Sequence, residues 1–233
     1  MKNHADELIF AASCSEMRVN MAEQKIYEQG IRAGHERKAV PRQRISTQDM
    51  VLCGVFTTLI TAGAFIKVPV PVLPFTLQFL FTMLAGLLLG GRKGALSVFV
   101  YILLGLVGLP VFAEGGGFWY ILKPSFGYLI GFLLATYVTG RMVERRKKLL
   151  TRWVIAINFL GLFIVYATGM IYYYVICNYV IDTPIALGPL FLYCFVMVVP
   201  GDIFLCFLAA ILTIRVRPIF QKMLGQKSFG MED

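Results

Sequence analysis

Histidine is nearly absent from this chain. Its two histidines, His4 and His35, both sit in a polar N-terminal stretch. No histidine pair lies in an apolar segment, which excludes an intramembrane metalloprotease of the His-Glu-x-x-His kind. No Ser/His pair exists there either, which argues against a serine hydrolase. The phosphate-cradling pattern Gly-x-x-x-x-Gly-Lys-Ser/Thr is missing. The nearest stretch, Gly86 to Lys93, lacks the hydroxyl residue and reads as a helix–turn, so the chain does not hydrolyse ATP through a P-loop. Acidic side chains are scarce: after Asp49 only Glu114, Glu144, Asp182, Asp202 and the C-terminal pair remain. A metal-ion transporter needs several oxygen or imidazole ligands at mid-membrane. The five cysteines, Cys14, Cys53, Cys177, Cys194 and Cys206, are odd in number and show no Cys-x-x-Cys spacing, so no disulfide framework is implied. No enzymatic activity, metal or cofactor is expected.

What the chain has in excess is apolar surface. Of its 233 residues, 58% are hydrophobic and 15% charged, against roughly 45–50% and 25% in soluble domains. Several apolar segments approach the ~20 residues that cross ~30 Å of hydrocarbon. Residues 1–49 differ; their longest apolar run, Leu8 to Ala12, is too short for a signal peptide. Three parts are expected: a polar cytoplasmic extension over 1–49, a membrane domain over 50–217 and a cytoplasmic tail over 218–233. The extension is expected to be disordered or partly helical. The membrane domain reads as all-α, with six transmembrane helices near 50–66, 76–90, 94–109, 126–140, 152–180 and within 189–214. Proline and glycine mark the breaks. Pro69, Pro71 and Pro74 remove three donors from the segment after helix 1 and disfavour α geometry before each. Gly90 and Gly91 mark the turn before helix 3, and Pro110 ends that helix.

Charge orients the bundle. All but two of the 22 Lys and Arg precede helix 1, lie between helices 2 and 3, flank the helix 4–5 loop, or follow helix 6. The exceptions are Lys67 and Lys123. Cationic loops stay in the cytoplasm, so both termini are placed there and the protein in a bacterial inner membrane. The net charge of +9 is accounted for by basic loops against anionic lipid and needs no nucleic acid.

Asp202 is the residue that demands a reason. It follows Pro200-Gly201 and precedes an apolar run ending at Arg215. Helix 6 begins either at 189 or at Pro200, a favoured first-turn position for proline. In the second case Asp202 lies in the first turn, below the outer headgroups. It then serves either as a helix cap at the positive end of the dipole or as a ligand-binding carboxylate. The loop from Phe112 to Tyr120, with Gly115-Gly116-Gly117, Phe118 and Trp119, reads either as a lid over a pocket or as a simple connector. Small residues recur every four positions at Gly54, Thr58 and Ala62, at Gly86 and Gly90, and at Gly127 and Gly131. Such rows let helices approach closely. On helix 1 the row serves either the bundle or docking to another subunit.

Several blocks together resemble the biotin-specific S-component family (BioY) of the energy-coupling-factor transporters. They are Val70 to Gln78, Leu84 to Ser97, Tyr101 to Ala113, Gly115 to Gly117, Gly127 to Phe132, and Pro200-Gly201-Asp202. The resemblance spans about 50–217 and implies a six-helix fold with an outward-facing vitamin pocket. It also implies a transmembrane coupling subunit and a pair of ATPases as partners, with Gly54, Thr58 and Ala62 facing the coupling subunit. With biotin as ligand, Asp202 would accept from the ureido N–H groups and Tyr128 and Gln78 would supply donors. Phe112, Phe118 and Trp119 would cover the rings. The family pattern carries lysine three residues after the aspartate; this chain has Leu205. An S-component for another vitamin and a non-transport membrane scaffold are the alternatives.

Overall fold

The computed structural model describes residues 46–68, 75–146, 149–181 and 198–223, with isolated positions at 24, 25, 186, 188 and 196. The chain divides into two units, Met1–Ile45 and Ser46–Asp233. The first lies almost wholly outside the described residues, as does the stretch 189–195.

Among the described residues, six α-helices carry the second unit: α1 Thr47–Phe65, α2 Gln78–Leu89, α3 Gly91–Val107, α4 Phe126–Glu144, α5 Thr151–Tyr179 and α6 Val199–Met223. Four of them, α1, α4, α5 and α6, are long and apolar enough to cross a membrane. The protein is a multi-pass, all-α membrane protein. Between α1 and α2 the chain forms a two-residue antiparallel ribbon, β1 Lys67–Val68 with β2 Phe75–Thr76. A short 3-10 helix, Phe118–Leu122, precedes α4.

The helix ends follow from local chemistry. Ser46 and Asp49 form a reciprocal capping box, so α1 starts three residues before the apolar run suggests. Asp49 is buried and paired with Lys93 on α3 at 2.6 Å. The α2–α3 turn needs a left-handed φ of 86° at Gly90, and a Cβ there would run into Glu144. Glu144 itself accepts from the Gly91 backbone N–H at 3.0 Å, which gives the start of α3 a partner it could not find within its own helix. At the other end of α3, Gly108 adopts φ 115° as a left-handed cap, with Pro110 two residues on.

α2 is the centre of the bundle. It touches α1, α3, α4 and α6, and nine of its 12 residues are buried, as expected for a helix that is apolar all round. α4 and α5 form the most extensive pair. A Cβ on Gly131 would lie 2.9 Å from the Val165 backbone, and one on Gly127 would collide with the Tyr172 side chain. These glycines therefore let two helices approach backbone to backbone. Gly86 does the same for α2 against Thr136 of α4. The Gly54, Thr58 and Ala62 row is different: all three are exposed, and nothing lies within 4 Å of a Cβ built on Gly54.

Buried hydroxyls and one amide tie the helices further. Thr57 donates to Ser97 O (α1 to α3), Thr136 to Thr82 O (α4 to α2), and Asn158 Nδ2 to Cys206 O at 2.9 Å (α5 to α6). In hydrocarbon an unpaired polar group has no water to turn to, so each of these donors is matched to a carbonyl, while the Asn158 Oδ1 acceptor has no hydrogen-bond partner among the described residues.

Candidate functional site

The positions of Gln78 and Asp202 follow from the lengths of the helices that carry them. α2 has 12 residues, about 18 Å at 1.5 Å per residue, short of the ~30 Å hydrocarbon thickness, so one of its ends lies below the membrane surface. Its first residue is Gln78, which is buried. α6 begins at Val199, so Asp202 falls in its first turn and is also buried. The shorter of the two starts that the sequence allows for helix 6 is the one present.

Both side chains line one cavity, which holds about 650 Å³ of empty space counted out to its open mouth. Its polar groups come from separate elements: Thr76 from β2, Gln78 from α2, Tyr101 from α3, Tyr128 from α4, Tyr166 from α5 and Asp202 from α6. Apolar and aromatic surface from Phe79, Phe112, Leu129, Phe132, Val165 and Val198 completes the wall.

Asp202 is not solitary. Tyr166 donates its hydroxyl to Asp202 Oδ2 at 2.5 Å, which fixes the carboxylate and leaves its other oxygen free to accept. The geometry follows from side-chain direction. Helical side chains lean toward their own N-terminus, and α5 and α6 run antiparallel, so the two groups lean toward each other. Leu205, at the position where the resemblance leads one to expect lysine, is buried in the core and does not line the cavity. Tyr166 is thus the donor that stands beside Asp202 in this chain. The Gln78 amide nitrogen makes no hydrogen bond of ordinary geometry among the described residues, although the Tyr101 hydroxyl is close enough to act on it. A buried amide donor beside a cavity is primed for a ligand carbonyl.

Two wall aromatics sit in glycine notches. The Phe112 ring fills the space where a Gly105 Cβ would be and sits between Tyr101, met edge-on, and Tyr120, met at a tilt, at centroid distances of 5.4 and 4.4 Å. The Tyr128 ring occupies the corresponding space over Gly169 and meets Tyr166 edge-on at 6.0 Å. Burial, more than any neighbour, holds the Tyr120 phenol above its usual pKa, so it remains a neutral hydroxyl at physiological pH.

Of the six ligand-facing residues expected from the sequence, Asp202, Tyr128, Gln78 and Phe112 line the cavity. Phe118 and Trp119 do not; they are 68% and 78% exposed. The 3-10 turn puts Tyr120 inward and its two aromatic predecessors outward. Tyr166, Tyr101 and Tyr120 were not singled out from sequence. The one signal for Tyr166 was its place midway along a 29-residue apolar helix, far from the interfaces where membrane tyrosines collect.

A multi-pass bundle with an aromatic-walled cavity, a fixed carboxylate and a waiting amide defines a membrane protein that captures a small polar organic solute. Comparison with known proteins makes this specific. The BioY family model matches residues 36–222, and the chain belongs to that family. A "Probable biotin transporter BioY" of Lysinibacillus sphaericus is 45% identical over 187 residues, covering 80% of this chain and 95% of the relative. The "Biotin transporter BioY" of Thermotoga maritima is 37% identical, covering 74% and 97%. A crystal structure described as the S-component for biotin from an ECF-type ABC transporter superposes with a TM-score of 0.63 at 26% identity. It covers 73% of this chain and 91% of that one.

Proposed function

We propose that this chain captures biotin as the substrate-binding subunit of an energy-coupling-factor transporter. The observation that carries the reading is the cavity, in a chain of this family, where Tyr166 fixes Asp202 and Gln78 holds an amide donor in reserve. Biotin presents a ureido group with two N–H donors and one carbonyl, an apolar sulfur ring and a carboxylate tail. The free oxygen of Asp202 accepts from the ureido N–H side, and Gln78 and Tyr128 address the rest of that group. Phe112, Phe79 and Phe132 pack on the ring. Phe118 and Trp119, which are exposed, cover the site only if the loop moves.

The site performs recognition and no chemistry. Energy must come from elsewhere, because the chain lacks a P-loop. A transmembrane coupling subunit and an ATPase pair supply it, and the exposed Gly54, Thr58 and Ala62 row is the surface offered to the coupling subunit. The uneven distribution of Lys and Arg supports a bacterial inner membrane with both termini in the cytoplasm, where lipid covers the apolar exterior. A scaffold would have no use for a built polar cavity of this size. The test is calorimetry on the detergent-purified chain, with mass spectrometry of any co-purified ligand. Micromolar or tighter biotin binding is expected. Absence of binding, or co-purification of a different vitamin, sinks the reading.

A further inference from the structure

The outer-side charges among the described residues collect at one place. Lys67, on β1, donates to Ala113 O at 3.0 Å. Lys123, at the end of the 3-10 helix, donates to Glu114 O at 3.3 Å and to Glu114 Oε2 at 3.2 Å. Ala113 and Glu114 are neighbours in sequence and both line the cavity. Glu114 is exposed while lining it, so this pair forms part of the rim. Two ammonium groups from different elements are thus anchored on adjacent residues at the mouth, against one carboxylate. The rim carries a net single positive charge.

The loop itself is braced. Phe112 and Gly115 exchange backbone hydrogen bonds, Gly117 N–H donates to Gly105 O at 2.7 Å, and the Phe112 ring is locked over Gly105. The Glu114 side chain is the free part. Its ion pair with Lys123 leaves both side chains more than 40% exposed, at 42% and 44%. Pairs of that exposure contribute little, on the order of a factor of five or less in an equilibrium. Such a pair is easily exchanged.

We infer that Glu114 is a stand-in for the ligand's own carboxylate. It holds Lys123 at the rim while the site is empty and yields it to the anionic tail of the bound solute. This inference rests on the biotin reading and deepens it. The cavity interior addresses the neutral ureido and ring portion, and the rim reads the free acid. The solute class is then a compact bicyclic head on a chain ending in a carboxylate, and conjugates that have lost that charge are disfavoured. The exchange leaves Lys123 paired with one carboxylate at a time, because the solute's acid takes the place of the Glu114 side chain at its ammonium. Capture is therefore not opposed by an unpaired cation. The arriving carboxylate neutralises the net positive charge of the rim, and Lys67, on the neighbouring carbonyl, offsets the displaced Glu114.

The experiment compares biotin with its neutral carboxamide by calorimetry on the purified full chain. Wild-type protein is expected to prefer the acid. Glu114→Gln removes the competitor and leaves the backbone contacts intact; it should raise the acid-to-amide affinity ratio about two- to fivefold. Lys123→Gln should lower that ratio. An unchanged ratio in Glu114→Gln overturns the exchange and leaves the biotin reading standing. An equal fall in both affinities also overturns it, because Glu114 would then merely brace the loop. No binding of either compound by the wild-type chain overturns the biotin reading and the exchange together.

Discussion

The Tyr166–Asp202 pair turns a simple substitution into a two-step test. Asp202→Asn preserves shape, but the amide has one acceptor and one donor end. Tyr166 donates at 2.5 Å to one carboxylate oxygen; where it keeps that donor role, the amide oxygen faces Tyr166 and the NH2 group faces the cavity. A ureido N–H would then meet a donor instead of an acceptor. A hydrogen bond to a charged group contributes about 1.5–3 kcal/mol, so biotin binding should weaken roughly ten- to a hundredfold. Removing the hydroxyl in the same protein releases the amide. In Tyr166→Phe/Asp202→Asn the oxygen can turn back toward the ligand, and affinity should recover in part. The double variant should therefore bind better than the sum of the single changes predicts, a coupling of about 0.5–3 kcal/mol for residues in direct contact. Calorimetry on the four proteins measures it, with thermal melts in detergent confirming that each is folded. Unchanged affinity in a folded Asp202→Asn sample would remove this residue from the site. Strict additivity would refute the claim that Tyr166 dictates which atom of residue 202 faces the ligand.

Four further expectations concern the bundle and its partners. Thr58→Leu or Ala62→Leu should leave biotin binding by the isolated chain intact and reduce uptake once the ATPase module is present; loss of binding instead would mean that this face packs inward. Gly131→Ala, where a Cβ would lie 2.9 Å from the Val165 backbone, should cost about 1–3 kcal/mol by overpacking. Gly54→Ala, with open space around it, should leave the melting temperature of the isolated chain unchanged or raise it slightly. In cells lacking every coupling subunit the chain alone should not concentrate labelled biotin, and robust accumulation there would refute the need for an external energy source.

The bundle was legible because membranes simplify the code. Apolar runs of spanning length, broken by Pro and Gly and flanked by Lys and Arg on one side with only Lys67 and Lys123 on the other, leave few topologies. The start of α1 was misplaced because an apolar run says nothing of a capping box: Ser46 and Asp49 are polar, yet they are the residues that begin the helix. The outward turn of Phe118 and Trp119 was missed for a related reason. Composition tells that a loop is aromatic, while a 3-10 turn with three residues per repeat decides which rings face in. Asp202 was conspicuous because a carboxylate in an apolar run is costly. Tyr166 was not, since its role exists only once α5 and α6 are laid side by side. The same holds for the rows of small residues. Gly54, Thr58 and Ala62 have the spacing of Gly127 and Gly131, and only the fold shows that the first row faces outward and the second faces a neighbouring helix.

The glycine notches behind the aromatic wall have a consequence for how this protein could diverge. Phe112 and Tyr128 owe their positions to the missing side chains of Gly105 and Gly169, neither of which touches the cavity. A single methyl group added at either place would drive a ring forward into the space a ligand needs. The shape of the binding chamber is therefore written partly on residues that no ligand contacts. A comparison restricted to the lining would miss changes of selectivity made from behind it, and laboratory evolution toward a smaller or larger vitamin should find substitutions there as readily as on the wall itself.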